Sequence, residues 1–180
     1  KYLDPKFLDF CYQYKKVDDN ISFSNDENNK KIINVIDGKV GSLINNSEKN
    51  NGLDVKNINN NSNLVQEQFL NYEKNFTNDY IFNLNSIMLN SGYEINIEEN
   101  QKINLFISNS VSEKDLTIFQ KNLIRCKKNC KVFIVEDLII NNKSNINIAN
   151  FLDIGENSEI THLIFQKNIK DAEMQFTSFA

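Results

Sequence analysis

Cys126 and Cys130 enclose Lys-Lys-Asn, a C-x3-C spacing. Two thiolates so placed across a turn could share a soft metal ion, and Lys127, Lys128 and Lys131 beside them would favour ionisation. A closed metal site needs four ligands. The remaining cysteine, Cys11, is distant in sequence and falls on an expected helix. The pair therefore reads as free thiols that behave as small hydrophobes. His162 is the single histidine and shares parity with Ile160 and Ile164 in a β-type run. A lone histidine in that setting reads as a hydrogen-bonded packing residue. The adjacent carboxylates Glu98-Glu99 and Asp18-Asp19 would point to opposite faces of a strand, and they read as solvated turns. No phosphate-binding loop, dinucleotide fingerprint or nucleophile elbow occurs. No catalytic, cofactor-binding or metal-ligating residue is assigned, and the chain is expected not to be an enzyme.

The composition agrees with a scaffold. The chain has 180 residues, 40% of them hydrophobic, with 13 Phe, no Trp and a net charge of −4. That supports one domain, or a small one plus part of a larger one. The apolar set is rich in Ile, Leu and Phe, which suits strands. Charges of both signs are interspersed, without the basic stripe of a nucleic-acid binder. No apolar run reaches the length of a membrane span. No secretory leader is visible, and an odd number of cysteines, three, argues against a disulfide framework. The expectation is a cytoplasmic protein with neither nucleic-acid nor membrane partners. The start without Met and the end inside an apolar–polar alternation lead us to expect a fragment. The abundance of Asn reads as a compositional bias that turn-rich β structure tolerates.

The elements that must position these residues fall into two regions. Residues 1–75 read as a helix and hairpin region with an Asn-rich loop. A helix over Lys1–Tyr14 is signalled by Asp4-Pro5, and a polar loop follows over Val17–Lys31. A hairpin turns at Asp37-Gly38, "GLDVKNI" suggests a short strand, and a helix is expected over about Leu64–Tyr72. From Asp79 the period changes to two. Tyr80, Phe82 and Leu84 lead into a ladder of short runs, with turns at Asn90-Ser91-Gly92, Glu99–Gln101, Lys127–Asn129, Asn141–Asn145 and Gly155–Asn157. No rung of that size buries its apolar face alone, so the runs must stack or pair. An antiparallel sandwich would show two-residue hairpin turns, and the ladder turns are longer. The expected class is mainly β with a small α/β N-terminal region, and parallel β-helix (β-solenoid) rungs from about residue 80. Residues 76–180 would be the truncated start of that domain.

The ordered segments "FNLNSIMLNSGYEINIEENQKINLFI", "KNLIRCKKNCKVFIVEDLI" and "NIANFLDIGENSEITHLIFQ" together resemble the SufB/SufD family of iron–sulfur cluster assembly scaffold proteins. The matching positions include Glu136, Gly155, Glu156, Asn157, His162 and Gln166, with Gln166 closer to the SufD branch. "KYLDPKFL" is similar to the start of the family's helical region. The resemblance spans nearly the whole chain, loosely before Leu64. It implies a β-helix and a non-catalytic subunit acting with SufB-like and SufC-like subunits, the latter an ATPase, in iron supply or cluster assembly. It implies no cofactor on this stretch, since iron or the cluster would belong to the full complex. The partner surfaces would lie beyond Ala180, and the family's functional histidine lies later in the chain, so its role is not carried to His162. A secreted β-solenoid that binds or cleaves polysaccharide, and a generic β-helix interaction module, are the alternatives.

Overall fold

The structure is a computed structural model that describes residues 30–44, 52–58, 69, 80–112, 114–140, 143–167 and 172–180. Among them the chain is mostly β, as expected, with two mixed sheets and one short helix. The opening hairpin is β1 (Lys30–Ile36) and β2 (Lys39–Ile44), paired antiparallel. Its turn residues Asp37 and Gly38 have φ of 53° and 75°, the left-handed conformation that a two-residue hairpin turn requires. β3 (Leu53–Asn57) follows, then α1 (Tyr80–Met88). The remaining strands are β4 (Ser91–Ile97), β5 (Lys102–Ser110), β6 (Leu116–Cys126), β7 (Lys131–Ile139), β8 (Ser144–Ile154), β9 (Glu159–Lys167) and β10 (Glu173–Phe179).

The alternation read from sequence sets the burial. Tyr93, Ile95 and Ile97 on β4 and Ile103, Leu105 and Ile107 on β5 are all buried. These six side chains belong to one core that draws on both sheets. The turns at Glu99-Asn100, Lys128-Asn129 and Glu156-Asn157 also fall where expected.

Four expectations need correction. Residues 80–88 are helical rather than the first strand of the ladder. Tyr80, Leu84, Ile87 and Met88 stand at i, i+4, i+7 and i+8, which suits a helix as well as the alternation read there. Tertiary contact favours the helix, because the Asn85 amide donates to Asn147 Oδ1 at 2.8 Å and to the Asn147 carbonyl at 2.9 Å. Second, Ser91 and Gly92 open β4 rather than turn the chain. Gly92 has φ 150°, and a Cβ there would sit 2.0 Å from the Lys121 carbonyl oxygen. The glycine marks close backbone approach, not a bend. Third, the loop expected over Val17–Lys31 gives way to β1 at Lys30. Fourth, the turn expected over Asn141–Asn145 gives way to β8 at Ser144, whose backbone pairs with Leu116. The expected helix at Lys1–Tyr14, with Cys11 and Asp18-Asp19, lies outside the described residues. Of the helix expected over Leu64–Tyr72 only Phe69 is described; it is helical and buried.

One sheet has the order β2-β1-β5-β7-β9 and the other β10-β8-β6-β4-β3. Successive strands from β4 to β10 alternate between the sheets. Every pairing among them is parallel, and only β1 with β2 and β3 with β4 run antiparallel. Partners in the pairings among β4 to β10 are 28 or 29 residues apart, as in Tyr93 beside Asn122 and Asn122 beside Asn150. Neither sheet closes on itself.

Candidate functional site

Period two carries β7 inward at Val132, Ile134, Glu136 and Leu138, all buried. A carboxylate thus enters a column where its register neighbours are Ile107 and Ile164. Glu136 is 0% exposed. An unpaired carboxylate there would be very costly, so the fold has to surround it with donors.

It does so from both sheets. Asn109 Nδ2 donates to Glu136 Oε1 at 2.9 Å, and the Tyr93 hydroxyl lies 3.5 Å from the same oxygen. Asn150 Nδ2 donates to Oε2 at 3.2 Å, and His162 Nε2 stands 2.9 Å from Oε2. Which atom donates in the His162 contact follows the imidazole tautomer. Burial, reinforced by the Glu136 charge and hydrogen bond, pushes the Tyr93 phenol well above the usual tyrosine range. Tyr93 therefore stays a neutral donor.

The cluster continues away from Glu136. Asn122 Nδ2 donates to Asn150 Oδ1 at 2.7 Å, and Gln120 Nε2 donates to Asn122 Oδ1 at 2.9 Å. Asn122 and Asn150 are register partners on the neighbouring parallel strands β6 and β8, whereas Gln120 stands two residues before Asn122 on β6 itself. A cavity of about 20 Å³ adjoins the cluster, bounded in part by Asn109, Gln120, Leu138 and Ile148. That is room for about one water molecule. Asn109 Oδ1 has no hydrogen-bond partner among the described residues, so it supplies a polar wall for one.

Chemically, the arrangement orients and holds. A general base must reach its substrate, whereas the His162 and Glu136 side chains are 7% and 0% exposed. The pair ties edge strand β9 to β7 and, through Asn150, to the other sheet. The hydrogen bond expected of His162 is the one to Glu136. Its partner Glu136 was met in the sequence only as a family match. Its interior placement was legible as a charge on the inward parity of "KVFIVEDLI".

The two thiols are brought together. Cys126 and Cys130 are both buried, free, and part of the same core. Cys130 Sγ donates to the Glu98 carbonyl at 3.0 Å. The expected promotion of ionisation by lysines is overturned. Lys127, Lys128 and Lys131 instead pair with Glu98, Glu99 and Glu159, in groups that are about half exposed or more. Burial comes first, and with the neighbouring Cys130 it pushes the Cys126 thiol up to about 12. Among the described residues no group of three or more His, Cys, Asp and Glu side chains stands in a position to hold a metal ion.

Comparison of the chain with protein-family models, curated proteins and solved structures finds no match.

A second polar feature was missed in the sequence. Asn100, Asn129 and Asn157 all have left-handed backbones, with φ of 62°, 58° and 56°. They stand at successive turns, and their side chains form a ladder. Asn129 Nδ2 donates to Asn100 Oδ1 at 3.1 Å, and Asn157 Nδ2 to Asn129 Oδ1 at 3.5 Å. The backbone repeats the pattern, with Asn100 N donating to Lys128 O and Asn129 N to Glu156 O. The signal was present in the sequence, because "EENQKI", "KKNCKV" and "GENSEI" align with Asn at the third place. Here the abundance of Asn is structural. No helix among the described residues is long and apolar enough to cross a membrane.

Proposed function

We propose that the chain forms rungs of a parallel β-helix and serves as a non-catalytic scaffold subunit of the SufB/SufD kind. It would act with a SufB-like subunit and a SufC-like ATPase, with iron or the iron–sulfur cluster as the cargo of that complex. One observation carries the reading: β4 to β10 alternate between two sheets, and every pairing among them is parallel at 28 or 29 residues. A chain that alternates so, always in one direction, follows the path of a coil with two strands per turn. The segments that resemble the family fall on those strands and corners. Gly155, Glu156 and Asn157 form a corner, and Glu136 and His162 meet inside.

In this reading the buried cluster is a strut. It fixes the register of consecutive turns and presents an outer surface for partners. That surface carries paired charges, such as Arg125 between Glu94 and Asp153. The test is affinity purification of the full-length protein from cells that express SufC-like and SufB-like subunits. Recovery of both supports the scaffold role, and recovery of neither sinks it.

A further inference from the structure

Three features stand outside the proposed role: the apolar side of α1 at Leu84, Ile87 and Met88, the small cavity beside Asn109, and the thiol pair. Nothing in the structure shows what would cover the helix, and the cavity holds no more than a water. The thiols carry an inference.

We infer that Cys126 and Cys130 form a two-electron oxidation site that closes to an intramolecular disulfide under a small peroxide oxidant such as hydrogen peroxide. The two residues flank one three-residue corner, where β6 leaves one sheet and β7 joins the other. Both side chains are buried and belong to the same core. Both ends of the corner are pinned. Lys127 N donates to Ile97 O, Asn129 N to Glu156 O, and Cys130 N to Ser158 Oγ at 2.9 Å. Both thiols are therefore carried on one fixed corner. Lys127, Lys128 and Asn129 between them are exposed.

The chemistry of the pocket selects the product. A bound metal dithiolate would place charge among Ile97, Ile103 and Val132, at a desolvation cost. A disulfide is neutral and leaves no S–H group to satisfy.

In the reaction one sulfur, as its thiolate, attacks a peroxide oxygen. The O–O bond breaks, and the departing hydroxide takes up a proton to become water. The resulting sulfenic acid is attacked at sulfur by the second thiol. The S–S bond forms, and the sulfenic oxygen leaves as water with the second proton. Two thiols and one peroxide thus give one disulfide and two waters, with sulfur losing the two electrons that peroxide gains. Because the thiolate is the nucleophile, the closed site reacts slowly at neutral pH and faster as pH rises.

The experiment uses the full chain carrying Cys11→Ser, treated with hydrogen peroxide in the folded state, then alkylated after unfolding and digested with trypsin. Lys127 and Lys128 lie between the cysteines, so cleavage there leaves two peptides joined only by the disulfide. The expected result is that linked pair, within one chain, formed faster at higher pH and separated by a dithiol reductant. With Cys130→Ser added, no linked pair forms and Cys126 is trapped as a sulfenic acid by a dione reagent. The inference is overturned if both cysteines are alkylated after peroxide treatment. It is also overturned if they appear as sulfinic or sulfonic acids with no linked pair, if the link joins two chains, or if it forms only when the chain is unfolded beforehand.

Discussion

His162 on β9 reaches back to Glu136 on β7 with Nε2 2.9 Å from Oε2, and the two side chains are 7% and 0% exposed. Among the described residues, the contact joins an edge strand to its neighbour in the sheet. Glu136→Ala removes the acceptor of Asn109, Asn150, His162 and Tyr93 together. Breaking a buried pair from one side costs about 3–5 kcal/mol, and urea unfolding should show a loss of that order. His162→Ala should cost less, because two asparagine amides still serve the carboxylate. Equal losses for the two substitutions would mean that the carboxylate is not the hub.

The Asn corner ladder separates two physical effects at one position. Asn129→Ala loses the amide ladder and places a Cβ-bearing residue in the left-handed region, where alanine is disfavoured by about 1–2 kcal/mol. Asn129→Gly keeps the backbone conformation and loses only the side-chain bonds. We expect thermal midpoints to fall for both, with Asn129→Ala lower. If the glycine variant matches the wild type, the ladder contributes nothing.

Gly92→Ala tests the close approach that replaced an expected turn. Its Cβ would meet the Lys121 carbonyl oxygen at 2.0 Å, at φ 150°. The carbonyl belongs to a paired strand and has little room to yield. The variant should lose well over about 3 kcal/mol, since strain at a special backbone geometry is among the few causes of so large an effect. The check is the far-ultraviolet circular dichroism of the purified variant through a urea titration; an unchanged midpoint would refute the clash.

Alkaline pH should destabilise the fold through two buried acids. The ordinary value of the Cys126 thiol is 9.0, and the fold raises it to about 12. Tyr93 is raised in the same direction by burial first and then by Glu136. A raised acid binds its proton more tightly in the folded state. The stability it contributes is complete below the unfolded value and is lost as pH rises through the folded one. For Cys126 that window runs from 9.0 to about 12. Unfolding free energies measured across it should fall, and Cys126→Ala should flatten part of the slope. A parallel slope in the variant would remove the thiol from the account.

Much of the fold was legible locally. Alternation at Tyr93, Ile95 and Ile97 fixes which side of β4 faces in, because the side-chain period of a strand is two. The Asp37-Gly38 hairpin was readable because few dipeptides accept two left-handed residues in succession. Residues 80–88 were misread because their apolar spacing satisfies both periods, and tertiary contacts such as those of Asn85 and Ser86 to β6 and β8 distinguish them. The Glu98-Glu99 pair was rightly placed at a solvated turn, but its lysine partners were not foreseen, because they come from the next corner, 29 positions on. That same distance hid the meaning of the lysines around the thiols. In sequence they crowd the cysteines; in space each turns to a carboxylate 28 or 29 positions away.

The sequence by itself determined the strand periods from β4 onward, the corners at Glu99-Asn100, Lys128-Asn129 and Glu156-Asn157, and the inward parity of Glu136 and His162, all of which are properties of short segments. The tertiary structure alone decided that the lone histidine meets a buried carboxylate, that three corner asparagines form one ladder, and that two thiols share a pocket from which their lysines are absent. Each of those depends on which strand lies beside which. Parallel pairing at 28 or 29 residues sets that relation, and no local window of the sequence contains both partners.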